Sequence, residues 1–333
     1  MRIVVTGAAG FVGAHLTNKL LREGHQVLAI DNFSDYYSTE LKELRVSELI
    51  SSMGGRVVSL DLVDTHDLKN EIESFQPSGV VHLAAQPGVR LKTSDYHRYA
   101  RDNILAFSNL FQVILELGIK NFLYASSSSV YGDSSEPVLS EGLSNITPVS
   151  YYGATKLCNE ILASTSSSVE GMSTVGLRFF TVYGPYGRPD MAYFRLISNI
   201  LTPYQFELYG DGSVRRDFTY VDDTVNAIYL LLQNQLRGEL VGNSIYNIGG
   251  GKPASMLEMI SELEILSGAD ISYGKAHAHI GDVRSTNANT SKLNTAINFV
   301  PRIELRDGLE RTLRWSSRTD IVTKLEKWSN SVA

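Results

Sequence analysis

The sequence predicts an α/β protein: a doubly wound parallel sheet followed by a smaller, mixed α/β C-terminal lobe. Three observations carry that expectation. Short apolar runs alternate with helix-period segments through about residue 180, the spacing of βαβ units. The runs are continuous rather than alternating, as strands covered on both faces require. Gly7, Gly10 and Gly13 follow the first run and open the first helical segment.

Arg2-Ile-Val-Val-Thr6 reads as the first strand, and the helix after the glycines extends to about Arg22. Gln26 to Ile30 is the second strand and ends at Asp31. An amphipathic helix follows near 40–52, then a strand at 56–60 and a helix at 65–75. Gly79 to Ala84 is the fourth strand, and 95–117 has helical periodicity. Asn121 to Ala125 is the fifth strand, the next helix carries Tyr152 to about Ser167, and 174–178 is the sixth strand. Gly184, Pro185, Gly187 and Pro189 then break the regularity. Strands near 206–209 and 245–248, with helices near 192–201, 222–235, 255–267 and 307–315, are assigned to the lobe. The expected division is 1–180 for the dinucleotide-binding domain and 181–333 mainly for a substrate-binding lobe, with room for some chain to cross back.

Composition narrows the function classes. The 333 residues are 43% hydrophobic, enough for a substantial core. No apolar run approaches the 18 or more residues of a membrane span, and no signal-peptide pattern opens the chain. The net charge is −6 with dispersed Lys and Arg, which argues against nucleic-acid binding. A single cysteine, Cys158, excludes an intramolecular disulfide and fits a reducing compartment, so a cytoplasmic protein is expected. No metal site is expected.

Glycine at 7, 10 and 13 permits a tight turn and close backbone approach to a pyrophosphate, which the helix N-terminus then meets with N–H donors. This is the Rossmann arrangement, with Gly-x-x-Gly-x-x-Gly spacing. Asp31 ends the second strand, where a carboxylate can accept the ribose hydroxyls. Asn32 and Phe33 follow it, with no basic residue for a 2′-phosphate, so NAD is expected over NADP. Asp61, at the end of the third strand, could meet the adenine; a solvated strand end is the alternative. Tyr152 and Lys156 are four apart, one face of a helix. An ammonium beside a phenol favours the phenolate, so Lys156 is expected to lower the Tyr152 pKa and make it a proton acceptor for an alcohol.

Thr-Gly-Ala-Ala-Gly-Phe-Val-Gly (6–13), His-Leu-Ala-Ala (82–85), Ser-Ser-Val-Tyr-Gly (128–132), Tyr152-x-x-x-Lys156 and Arg-Phe-Phe-Thr-Val-Tyr-Gly-Pro (178–185) occur in that order. Together they resemble the extended short-chain dehydrogenase/reductases acting on nucleotide sugars, over nearly the whole chain. Asp31 to Tyr37, Ala85 to Arg90 and Tyr183 to Ala192 look like the UDP-glucuronate 4-epimerase branch. The resemblance implies Tyr152, Lys156 and Ser127 as the catalytic set, Ser127 bonding the sugar C4 oxygen. It implies NAD contacts at Gly7, Gly10, Phe11, Val12, Gly13, Asp31, Asn32, Asp61, Leu62, Leu83, Ala84, Ala85 and Asn103, besides Tyr152 and Lys156. For the UDP-sugar it implies Gln86, Arg90, Ser127, Ser128, Ser129, Thr181, Arg188, Arg216 and Arg284, with Thr181 and the serines holding a uronate carboxylate and Arg216 facing the diphosphate. A surface ion pair is the alternative for Arg90. The chain departs from the family at His279 and Ile280, where a basic residue or Pro is common, and at Asn289, where Asp is usual. Those departures weaken Arg284 as a contact.

Sister dehydratases carry an Asp-Glu pair, and decarboxylases a Glu, where this chain has Ser128 and Ser129. Neither hydroxyl is a competent acid or base near neutral pH, so C4 epimerisation without loss of C6 is expected. The expected substrate is UDP-glucuronate. The alternatives are a neutral UDP-hexose or N-acetylhexosamine 4-epimerase, a decarboxylase or 4,6-dehydratase, and a non-catalytic dinucleotide-binding protein. Family members commonly pair as homodimers through the helices near 95–117 and 151–167. Leu105, Phe107, Leu110 and Ile161 there suit either an interface or an ordinary core.

Overall fold

A computed structural model describes residues 1–89, 91–277 and 285–332. Its first half is built from β1 (Arg2–Thr6), α1 (Phe11–Arg22), β2 (Gln26–Asp31), α2 (Thr39–Arg45), β3 (Val57–Ser59), α3 (Thr65–Phe75), β4 (Gly79–His82), α4 (Tyr96–Tyr99), α5 (Ala106–Glu116), β5 (Asn121–Ser127), α6 (Tyr151–Glu170) and β6 (Ser173–Phe179). The expected helix near 40–52 continues past Arg45 as a π-helical turn, Val46–Ile50, and the 95–117 helix is interrupted by another, Ala100–Leu105. Such widened turns cluster at functional sites.

The second half contains β7 (Thr181–Tyr183), α7 (Ala192–Leu201), β8 (Phe206–Tyr209), β9 (Arg215–Tyr220), α8 (Val221–Leu236), β10 (Asn243–Ile248), β11 (Pro253–Ser255), α9 (Met256–Ser267), β12 (Tyr273–Ala276), α10 (Ser291–Ile297), α11 (Leu305–Ser316) and α12 (Thr319–Asn330). The main sheet runs β3-β2-β1-β4-β5-β6-β10 and every pairing is parallel. The strand near 245–248, assigned above to the lobe, is therefore the seventh strand of this sheet. Its mixed polar and apolar residues give no sign of which sheet it joins; its pairing with β6, residue 245 opposite 176, decides that. Two small sheets remain outside: β11-β9-β7 and β12-β8.

The strand order reverses between β1 and β4, so their carboxyl ends open a crevice where α/β proteins bind ligands. One face is packed by α3 and α5 through Leu68, Ile72, Phe107, Leu110 and Phe111, which cluster with Phe122 of β5. The other face shares one continuous apolar cluster with the C-terminal helices, from Leu16 and Leu20 through Phe194 to Trp315 and Trp328. Among the described residues no helix is long and apolar enough to cross a membrane.

Candidate active site

Gly7 leaves β1 with φ +72°, and a Cβ there would lie 2.6 Å from the Ala84 amide nitrogen. A Cβ at Gly13 would lie 2.0 Å from the Gly7 carbonyl oxygen. Only glycine lets strand, turn and helix close this tightly. α1 begins at Gly10 with no side-chain cap and no acidic residue in its first turn. Its first amides are thus left for an anion. Buried Asp31 accepts from the Ala9 amide at 3.0 Å and the Phe33 amide at 2.8 Å, so both carboxylate oxygens are oriented before any ligand arrives. The closed turn, open amides and fixed carboxylate fit a dinucleotide.

Around that turn, Asp61 accepts from Arg101 at 2.7 Å, from the Val63 amide at 3.1 Å and from Asn32 at 3.3 Å. Burial pushes its carboxyl up, but Arg101, the Val63 amide and Asn32 together hold it below the usual range. The Leu62 carbonyl accepts from Asn109 at 3.3 Å. Leu83 and Ala84 both hang on Thr6, through its carbonyl and its hydroxyl. Asn103, in the second π turn, is buried; its carbonyl accepts from the Gln86 amide at 2.8 Å and its amide donates to Thr155 Oγ1 at 3.0 Å. It therefore ties the Ala84-Ala85-Gln86 strand end to α6.

Ser150 caps α6 by accepting from the Gly153 amide at 3.1 Å. A Cβ on Gly153 would lie 2.5 Å from the Ser129 carbonyl oxygen, so the first turn of α6 abuts the serine stretch at the end of β5. Ser127 Oγ accepts from the Ser129 amide and donates to Ser129 Oγ, each at 3.1 Å. Lys156 is 1% exposed, its Nζ donates to the Ala125 carbonyl at 3.0 Å, and burial lowers its pKa to about 8. The Nζ lies 5.8 Å from the centre of the Tyr152 ring.

The expected effect of Lys156 on Tyr152 is not what the structure shows. Burial raises the phenol, while the Arg188 guanidinium and a hydrogen bond with Ser127 pull against that, and the net direction is up. Lys156 spends a proton on Ala125 and is itself weakened by desolvation. The cation opposing burial of the phenol comes from the loop after β7, too far along the chain for helix spacing to reveal.

Arg188 is held by a two-pronged pair with Asp190, through Nε at 3.0 Å and through Nη2. Tyr36 donates to the same carboxylate at 3.4 Å. Tyr99 donates to the Gly88 carbonyl at 2.6 Å, and its ring centre lies 6.1 Å from that of Tyr152. Ser127 pairs in register with Phe179, so half-buried Thr181, two residues on, starts β7 at the same sheet edge as Ser127, Ser128 and Ser129. Gln86 is buried and donates to the Pro87 carbonyl at 3.0 Å. Arg216 is half-buried on β9, opposite Ala254, and donates to the Arg215 carbonyl at 3.1 Å. Arg90, Arg284, His279 and Ile280 lie outside the described residues. Asn289 accepts through its backbone carbonyl from Asn247 at 3.1 Å.

Five residues here escaped the sequence reading. Arg45, Tyr36 and Asp190 lie in or beside segments that carry the resemblance, but nothing in the charge or spacing there assigns them a contact. Tyr99 reads as one more apolar helix position. Asp217 lies inside Arg-Arg-Asp-Phe-Thr-Tyr-Val, yet it is fully buried and accepts from the amides of Gly250, Gly251 and Ala288 at 2.6, 2.9 and 2.9 Å. Arg188-Pro-Asp190 carried the one legible signal, an acid two residues from a predicted contact.

A glycine turn at the switch point, Asp31 after β2 and a Tyr-Lys pair beside a strand-end serine define an extended short-chain dehydrogenase/reductase. The model of the NAD dependent epimerase/dehydratase family matches residues 3–249, and the chain belongs to that family. It is 38% identical over 314 residues to a UDP-glucuronate 4-epimerase of Thermodesulfobacterium geofontis, covering 94% of this chain and 95% of that one. It is 37% identical over 328 residues to the protein CapI of Staphylococcus aureus, covering 95% and 98%. The fold matches the crystal structure of UDP-glucuronic acid 4-epimerase from Bacillus cereus, in complex with UDP-glucuronic acid and NAD, with a TM-score of 0.87. That match has 36% identity and covers 98% of this chain and all of that one.

Proposed function

We propose that this protein interconverts UDP-glucuronate and UDP-galacturonate by NAD-dependent epimerisation at C4. One observation carries the reading beyond its family: Ser127, Ser128 and Ser129 abut the first turn of α6 with hydroxyls alone, where elimination or decarboxylation would need a carboxylic acid. The Bacillus cereus neighbour, crystallised with UDP-glucuronic acid and NAD, supports it.

In this reading Tyr152 takes the C4 hydroxyl proton and later returns it, while Ser127 donates to the C4 oxygen; the phenolate this needs is disfavoured by burial of the phenol. Arg188 and Ser127 oppose the effect of burial on the phenol. Lys156, with one proton committed to Ala125, keeps others for a ribose hydroxyl. Ser128, Ser129 and Thr181 hold the sugar carboxylate; Arg188 and Arg216 meet the sugar nucleotide, Arg216 at the diphosphate. The α1 turn and Asp31 would hold the dinucleotide, which would supply reversible two-electron redox at C4. Because C4 would end at the oxidation level at which it began, epimerisation would leave the cofactor unconsumed.

The protein is proposed to work as a cytoplasmic homodimer, making an activated uronate for glycosyl transfer, surface polysaccharide included. Incubation with UDP-glucuronate and NAD+, followed by chromatographic separation, is expected to give UDP-galacturonate. Tyr152→Phe should lower kcat by roughly 10²–10⁴-fold while the protein still retains NAD. Turnover of UDP-glucose or UDP-N-acetylglucosamine alone, or release of carbon dioxide, would reject the reading.

A further inference from the structure

Arg45, the last residue of α2, is 0% exposed. Its guanidinium reaches two loops at once. Nη1 donates to the Ala9 carbonyl, inside the glycine turn, at 3.1 Å, and to the Tyr37 hydroxyl at 2.6 Å. Nε donates to the Tyr186 carbonyl at 2.8 Å and Nη2 to the Gly187 carbonyl at 3.0 Å. All four acceptors are neutral, and among the described residues no carboxylate pairs with Arg45. A buried guanidinium without a counter-ion is costly, so its position needs a reason beyond packing.

The second loop is itself constrained. Tyr186 has φ +59°, a conformation a tyrosine adopts only when its surroundings compel it. Arg45 grips its carbonyl. Glu48, one turn past Arg45, accepts from its hydroxyl at 2.5 Å and is clamped in turn by Arg318 at 2.7 and 2.6 Å. The next residues are Gly187, also bound by Arg45, and Arg188, which faces Tyr152. One rigid fork therefore joins the turn that would seat the pyrophosphate to the loop that would meet the sugar nucleotide. Lysine could supply the charge but not the fork.

We propose that Arg45 is a positioning residue that couples the two sites. Anion binding at the glycine turn satisfies its charge and fixes the Tyr186-Gly187-Arg188 loop; a uridine nucleotide in the pocket returns the effect. This rests on the functional reading above, and thermodynamic linkage makes such coupling reciprocal.

The test uses binding, not turnover. NAD+ affinity of the NAD-stripped protein is measured by calorimetry with and without saturating UDP. The wild-type protein is expected to bind NAD+ at least about fivefold more tightly with UDP. Arg45→Lys and Arg45→Met should bind both ligands yet lose the coupling to within about twofold. Should neither variant fold by circular dichroism, Glu48→Gln, which loosens the same loop from its other side, takes their place and should at least halve the coupling. Unchanged coupling in the folded variants, or none in the wild type, overturns the proposal. Failure of the wild type to bind NAD+ or UDP at all sinks the functional reading and this inference with it. Binding of both without coupling sinks only the inference.

Discussion

His82 shows how a single side chain can tie stability to pH. It ends β4, is 1% exposed, and shares a hydrogen bond with Thr6 through Nδ1 at 2.7 Å. Its Nε2 meets no partner among the described residues. Burial, with Lys156 nearby, lowers its pKa from 6.5 to about 3. The folded state thus holds the imidazole neutral, whereas the unfolded chain protonates it below about 6.5. That stabilisation is complete above pH 6.5 and is lost as pH falls toward 3. Between about pH 7.5 and pH 5 the expected loss is about 2 kcal/mol, at 1.36 kcal/mol per pKa unit. Buried His15, lowered to about 4, loses stability over the same range, so urea denaturation at both pH values should show a larger total drop, which His82→Asn should shrink by about 2 kcal/mol. An equal drop in the variant would assign the acid sensitivity elsewhere.

At the scale of elements, α6 carries Tyr152 and Lys156, and a buried ion pair ties it to the sheet. Glu160, one turn beyond Lys156, accepts from Arg178 on β6 at 2.8 and 2.7 Å and from Ser126 on β5 at 2.5 Å. Both members of the pair are almost wholly buried. Ser126 adjoins Ser127, so this one carboxylate connects α6 to both strands beside Ser127. Glu160→Ala leaves an uncompensated guanidinium and should cost about 3–5 kcal/mol in denaturant unfolding. A loss below about 1 kcal/mol would mean that relaxation or water replaces the pair without difficulty. The π turn that carries Asn103 works similarly, widening the helix where one side chain must reach both Gln86 and Thr155.

At the scale of the whole molecule, the C-terminal helices do not form a separate body: Trp315, Leu325 and Trp328 share the core of α1. The four apolar residues read as interface or core also divide. Phe107 and Leu110 are buried, whereas Leu105 and Ile161 are exposed, with Leu162 and Val169 exposed further along α6. A groove between α5 and α6 is lined by Phe111, Leu115 and Leu162. Helix faces this apolar are suited to cover by a second copy. Light scattering should give a mass near twice 36.8 kDa, and Leu105→Asp with Ile161→Asp should halve it. A wild-type mass of one chain would exclude the dimer.

The sequence by itself determined whatever depends on neighbours in the chain. Continuous apolar runs at βαβ spacing foretold the first six strands of the parallel sheet. The glycine turn and Asp31 were legible because backbone geometry restricts what can stand there. The Tyr152–Lys156 spacing and the serine stretch were equally plain, since a helix turn and a strand end are local. Only tertiary structure decided what depends on distant partners. It placed 243–248 in the main sheet, made Arg188 the cation that opposes burial of the Tyr152 phenol, and buried Arg45 against a loop whose Tyr186 lies 141 residues further along the chain. Hydrogen bonding and desolvation act through space, so a charged residue on a surface-like helix carries no mark of burial until the chain folds over it.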